Sequence, residues 1–385
     1  MRLNKRLIHI FVIMLSSIFL LEGCTNKIEV PSQEELYEKC ASGVVLIYCE
    51  YYYKITLPNG NVCYTCGINH DNKKLINLVY DENEVKQQPQ QVTGTGFFID
   101  KNGLIMTNRH VADPSADIND LRQILFNILT QTRNEILQNL QYTIKDCYEY
   151  KNSASALFKY ILNKNSYNND INSYVAQYNQ YKEMYDFIGE ISNQSEIKIK
   201  LYSKLGIVYN NTNIDDFDDF LNNPCVLRKS SKYEPADLAI IQLKSQQTPE
   251  KAHIFDISGK VYKPKESYTL FESLLKIVFG NEPMECIENE KVNIGQQLYM
   301  IGYNSGFNIA LTKEGIKSQI TSGKLTQESD GERLLYDVKS MQGASGSPVI
   351  DEYGNLRAVN YAKFGLENNF NIGVSMNLIE KFLAE

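Results

Sequence analysis

Three residues in this chain of 385 have the types and local settings for nucleophilic chemistry. His110 lies in Leu104-Ile105-Met106-Thr107-Asn108-Arg109-His110-Val111-Ala112, Asp237 in Ala236-Asp237-Leu238-Ala239-Ile240-Ile241, and Ser345 in Gly343-Ala344-Ser345-Gly346-Ser347-Pro348. A serine hydroxyl is a weak nucleophile at neutral pH and needs an adjacent base to take its proton. An imidazole titrates near neutrality, so His110 suits that role and can return the proton to a leaving group. A carboxylate behind the ring, Asp237, would hold the tautomer and stabilise the imidazolium. Attack on a carbonyl creates an oxyanion, which needs backbone N–H groups already aimed at it. Gly343 can adopt a conformation that a Cβ would resist, letting its N–H and that of Ser345 converge. The expected chemistry is acyl transfer.

The surrounding residues predict the elements that must hold these groups. Thr93 to Asp100 turns from small to apolar, Lys101-Asn102-Gly103 is a turn signal, and an apolar run then delivers His110, together a β-hairpin pattern. Leu238 to Leu243 is a short strand, apolar except for Gln242, as in a buried barrel. After Pro348 come Val349-Ile350, a turn over Asp351 to Asn355 and a further apolar segment. Ala41 to Tyr53 reads as a strand region, Leu57 to Asn61 as a turn, Asp81 to Gln91 as a polar loop, and Met376 to Leu383 as a terminal helix.

On Gly94-Thr95-Gly96-Phe97, Thr107 to Val111, Asp237-Leu238-Ala239, Gly302-Tyr303, Tyr336-Asp337 and Gly343 to Pro348, the chain resembles the trypsin-like bacterial serine proteases. It resembles especially the HtrA-like and glutamyl-endopeptidase-like groups. The resemblance covers residues 36–112 and 226–385. It implies a mainly β fold of two antiparallel β-barrels of chymotrypsin type with the site between them. It also implies hydrolysis through an acyl-enzyme, with catalytic His110, Asp237 and Ser345, an oxyanion hole at Gly343 and Ser345, and neither metal nor organic cofactor. Ala344 stands where relatives often carry Asp or Asn.

The stretch between His110 and Asp237 is far longer than a barrel connection needs. Leu121, Ile124, Leu125, Ile128, Leu129, Ile136, Leu137, Leu140 and Ile144 recur at helical spacing, as do Ile171, Tyr174, Val175, Tyr178, Tyr181, Tyr185 and Ile188. The expected layout is a first barrel from 36–115 and 225–250, a helical insertion over 116–224, and a second barrel with the terminal helix over 251–385. Asp215 to Leu221 reads as a short acidic helix, and Tyr262 to Glu290 as a long loop carrying another. The tyrosine stripe is expected to pack between helices. The alternatives are a lid, or a docking face for a protein partner.

Residues 1–23 read as an export signal: Arg2, Lys5 and Arg6 precede an apolar run from Leu7 to Leu21. Leu21-Glu22-Gly23-Cys24 resembles a bacterial lipobox, which would make Cys24 the lipidated first residue, followed by a polar tether over 24–35. A retained membrane anchor is the alternative. Either way the chain is expected on a membrane of the bacterial cell envelope, outside the cytoplasm. Cys40, Cys49, Cys63, Cys66, Cys147, Cys225 and Cys286 would remain, an odd number. Cys63-Tyr64-Thr65-Cys66 is open to a disulfide, a redox pair, free thiols or half a metal site, with disulfide or free thiols preferred and His70 thin support for zinc. A net charge of −7 with dispersed signs argues against a general nucleic-acid binder.

His253, like His70, is expected at the surface. In relatives the specificity pocket is lined by positions that correspond here to Lys339, Ser340 and Val359 to Ala362; Asn360 stands where glutamate-cleaving relatives carry a histidine. The expected function is an extracytoplasmic serine endopeptidase. Its rivals are a catalytically silent binding or sensing module that uses the insertion, and a protease blocked by that insertion.

Overall fold

A computed structural model of the chain describes residues 30–69, 72–280, 282–288, 290–363 and 370–385. Residues 1–23, expected to be an export signal, Cys24 and His70 lie outside the described residues. The strands that matter to the site are β1 (Val44–Thr56), β2 (Gln90–Phe98), β3 (Leu104–Asn108), β4 (Lys198–Tyr209), β5 (Cys225–Ser230) and β6 (Leu238–Leu243). Their antiparallel order is β1-β2-β3-β6-β5, and β4 returns to pair with β1 from Val45↔Tyr209 to Thr56↔Lys198. A single bridge between Gly206 and Pro224, at the start of β5, closes the ring. The six residues of β6 are all buried, as the apolar run requires. Its one polar member, Gln242, is satisfied by Arg228 and by the carbonyl of Asn102.

The second barrel is fully closed: β7 (Gln297–Gly302), β8 (Gln319–Gln327), β9 (Arg333–Tyr336), β10 (Pro348–Asp351), β11 (Leu356–Lys363) and β12 (Asn371–Ser375) run in the order β7-β8-β9-β12-β11-β10, with β10 back against β7. Both barrels therefore wind the same way, first-second-third-sixth-fifth-fourth. One apolar cluster runs through both, joining Leu46, Phe97 and Met106 of the first to Ile301, Ile350 and Val359 of the second. Phe382 of the terminal helix (Met376–Ala384) belongs to the same cluster. The fold is thus the mainly β, chymotrypsin-type arrangement with a helical insertion that the residues imply.

The insertion differs from the expected 116–224. Its helices are α2 (Ile118–Lys151), α3 (Ala154–Leu162) and α4 (Lys164–Glu190), preceded in the chain by α1 (Gln33–Cys40). The segment from Lys198 is not part of it; β4 is a barrel strand, because its apolar residues alternate and one face closes the first barrel against β1. α2 and α4 form a hairpin whose Ile136, Leu140 and Ile188 are covered by Tyr178, Tyr181 and Tyr185, so that part of the tyrosine stripe packs between helices. At the root, Leu121 and Leu125 pack on Tyr53 and Ile55 of β1. At the far end, Leu157, Phe158, Ile161 and Leu162 of α3 are exposed.

Smaller departures have local causes. The polar stretch Asp81 to Gln91 holds a short helix, Glu82–Gln87, capped by Asp81. α1 begins inside the expected tether, started by a reciprocal cap between Ser32 and Glu35. Asp215 to Leu221 contributes a 3-10 helix at Phe217–Asn222. Lys260–Pro264 pairs with Met284–Glu288 as a separate hairpin around the helix Leu270–Phe279. The seven cysteines of the described residues are free thiols, Cys63 and Cys66 included. No helix among the described residues is long and apolar enough to cross a membrane.

His253 is half-buried at the surface, its ring edge-on against Phe255 with centroids 4.6 Å apart. Burial, with a smaller push from Lys39, lowers its pKa from 6.5 to about 4. At this group the unfolded chain therefore binds more protons than the native one between those values, so the contribution of His253 to stability falls as pH drops from 6.5 and levels off below about 4. Denaturant unfolding from pH 7 to 4 is expected to show this slope, and His253→Gln to flatten it. An equal slope in the variant would assign it to other groups.

Candidate active site

β3 ends at Asn108, and the chain turns at once into the short helix Arg109–Ala112, which puts His110 on the rim. Across the sheet β6 begins at Leu238, so Asp237 sits at the neighbouring strand end, paired with Asn108 through Leu238. Asp237 adopts a left-handed conformation, φ 39° and ψ 44°, which aspartate tolerates better than most residues. Hydrogen bonds hold it there: its carbonyl accepts from Arg109 N at 2.9 Å and Asn108 Nδ2 at 3.0 Å. Its carboxylate accepts from the backbone N–H of His110 at 3.1 Å and lies 2.5 Å from His110 Nδ1. The guanidinium of Arg109 adds positive charge 3.9 Å away. The carboxylate side chain is 5% exposed and the imidazole 48%, so the ring is gripped on one edge and open to the cleft on the other.

Ser345 lies in the loop before β10, partly buried. Gly346 fits directly against the histidine strand: a Cβ there would lie 2.1 Å from Thr95 O, 2.5 Å from Thr107 Oγ1 and 3.2 Å from Asn108 N. The serine's loop and the histidine's strand are thus in contact beside the His110–Asp237 pair. Within the loop, Ala344 N donates to Met341 O, Gly346 N to Asn360 O and Ser347 N to Ala344 O. The N–H groups of Gly343 and Ser345 have no acceptor among the described residues. Gly343 has φ +94°, and a Cβ on it would collide with Gly306 and the carbonyl of Tyr303. These two N–H groups are left unspent while those of their neighbours are used.

Two residues here carry more than the sequence reading assigned to them. Thr95, fully buried, donates its N–H to Ser345 O at 2.8 Å and its hydroxyl to Gly343 O at 2.9 Å. Its flanking glycines were the available signal: in Gly94-Thr95-Gly96 only the middle residue has a side chain to offer. Asn360, expected in the specificity pocket, is 2% exposed and holds the loop from the other side. Its Nδ2 reaches Ala344 O at 3.0 Å and Ser340 Oγ at 3.1 Å, and Tyr336 donates to its Oδ1. Lys339 is exposed, its carbonyl taken by Thr321.

Residues 222–359 match the family model described as a trypsin-like peptidase domain, a span that includes Asp237 and Ser345. The serine-protease resemblance read in the sequence is borne out. Among solved structures, the serine endoprotease from Yersinia pestis aligns at 12% identity and a TM-score of 0.41, over 92% of this chain and 67% of its own. No curated protein matches the chain.

Gly346→Ala is expected to destabilise the protein by roughly 2–4 kcal/mol, from the left-handed φ and the overlap with Thr95 O together. Gly331→Ala, with a similar φ of +88° and nothing within 4 Å, isolates the conformational part. Urea unfolding should separate the two variants. Equal losses would mean the loop does not press on Thr95.

Proposed function

We propose that the chain is a serine endopeptidase that cleaves extracytoplasmic polypeptides through an acyl-enzyme on Ser345. The observation that carries this is the His110–Asp237 pair, closed at Nδ1, beside a serine loop with two unspent N–H groups. With Nδ1 engaged by the carboxylate, Nε2 of the neutral ring is the lone-pair nitrogen available to Ser345. Attack on a peptide carbonyl passes the serine proton to Nε2, and the oxyanion takes the N–H groups of Gly343 and Ser345. The imidazolium, stabilised by Asp237, then protonates the leaving amine, and water repeats the sequence to release the acid.

The proposal extends to location: Cys24 as a lipidated residue on the cell envelope, supported by the basic start, the apolar run and Leu21-Glu22-Gly23-Cys24. A second reading keeps the fold as a binding module, with a protein partner on the helical arm. The exposed apolar side chains of α3 favour it.

A fluorophosphonate probe distinguishes them. The wild type should label and Ser345→Ala should not. Asp237→Asn, which keeps the left-handed backbone but presents the wrong hydrogen-bonding partner to the ring, should slow labelling roughly 10⁴-fold with little change in Tm. A folded wild type that never labels would favour the binding module.

The arm is tested by replacing residues 143–174 with a short glycine-rich turn, which spares both its root and β4. Labelling at the wild-type rate is expected. Labelling that appears only in the shortened form would mean that the arm blocks the site.

A further inference from the structure

The loop Gly343 to Ser347 has almost no side chains with which to hold its own shape, yet its N–H groups are sorted into used and unused. We propose that Thr95, opposed by Asn360, is the positioning residue that sets the oxyanion hole; this rests on the serine-protease reading above.

A trans peptide points its carbonyl and its N–H in opposite directions, so fixing one end fixes the other. The 343–344 peptide is held by Thr95 Oγ1 at its carbonyl and by Met341 O at its N–H. The 345–346 peptide is held by Thr95 N and by Asn360 O. Between them, the 344–345 peptide gives its carbonyl to Asn360 Nδ2 and Ser347 N, so the N–H of Ser345 must leave on the opposite side. Thr95 grips the loop from the first barrel and Asn360 from the second, and what remains free is the donor that the chemistry needs.

Thr95 has no alternative use for its hydroxyl. The N–H of Tyr303 donates to Oγ1 at 3.1 Å, so the hydroxyl's one proton is directed to Gly343 O. Being fully buried, it has no water to replace either bond. Its carbonyl accepts from Thr107 Oγ1 at 2.7 Å, on the strand that delivers His110. One residue therefore ties the serine loop, the second barrel and the histidine strand together. Asn360 is fixed in turn, because the Tyr336 hydroxyl at Oδ1 directs Nδ2 toward the loop.

The experiment compares wild type, Thr95→Val and Thr95→Ser on acylation by p-nitrophenyl acetate and by a fluorophosphonate. Valine keeps the shape but strands Gly343 O and Tyr303 N–H. It should slow acylation about 10²-fold, as for loss of an oxyanion donor, while the apparent dissociation constant stays within about twofold and the pH midpoint does not move. Thr95→Ser should recover most of the rate. Hydrogen exchange reads the device without turnover: the amides of Ala344 and Gly346 should exchange faster in Thr95→Val than in wild type or Thr95→Ser. Unchanged exchange, or a rate loss that serine does not rescue, overturns the proposal. A folded wild type that neither acylates nor labels refutes the protease reading, and the exchange comparison still decides whether Thr95 holds the loop.

Discussion

The two barrels meet through a buried hydrogen-bonded seam, and the site exists only because that seam is in register. Ser345 belongs to the second barrel, His110 and Asp237 to the first. Apolar contact between Phe97, Met106, Ile301 and Val359 brings the barrels together but does not by itself choose their alignment. The polar bonds do: Thr95 to Gly343 and Ser345, Tyr303 N to Thr95, and the Tyr303 hydroxyl to Val44 O. Buried polar groups left unpaired cost about 1–3 kcal/mol each, so a slipped seam would be penalised several times over. Hydrophobic burial supplies the attraction, and the polar groups supply the register.

Asp237 shows the same division on a smaller scale. A left-handed backbone for a residue other than glycine costs on the order of 1 kcal/mol. The bonds from Arg109 N and Asn108 Nδ2 to its carbonyl, each worth about that much, offset the cost. The resulting turn sends the carboxylate back over the start of the histidine's helix, where the N–H of His110 and its ring both reach it. The strain is confined to the residue whose direction matters.

The pairing of His110 with Asp237 and the free donors at Gly343 and Ser345 were legible from sequence because each depends on a short local signal: a residue type at a strand end, or glycines around a serine. β6 was legible to the residue for a similar reason, its buried run being unbroken in burial. What escaped depends on long-range pairing. β4 carries a clear alternation through Ile199, Leu201, Leu205 and Ile207, but it follows a long helical pattern and its partner, β1, lies far back in the chain. Asn360 escaped for a different cause: its family position suggested a pocket, while its hydrogen bonds are decided by Tyr336 and Ala344, which only the folded barrel brings within reach.

The boundary of the insertion changes what the arm can do. Had it run to the start of β5, the arm would replace barrel structure, and its loss would open the first barrel. Because β4 completes the ring, the arm is an addition between third and fourth strands, and a long loop there costs little extra closure entropy. Its root is not a loose hinge. Leu121 and Leu125 are buried on Tyr53 and Ile55, and the Tyr53 hydroxyl donates to Pro114 O, in the segment that joins the histidine's helix to α2. The arm is therefore fixed at its base to β1 and to the segment that follows His110.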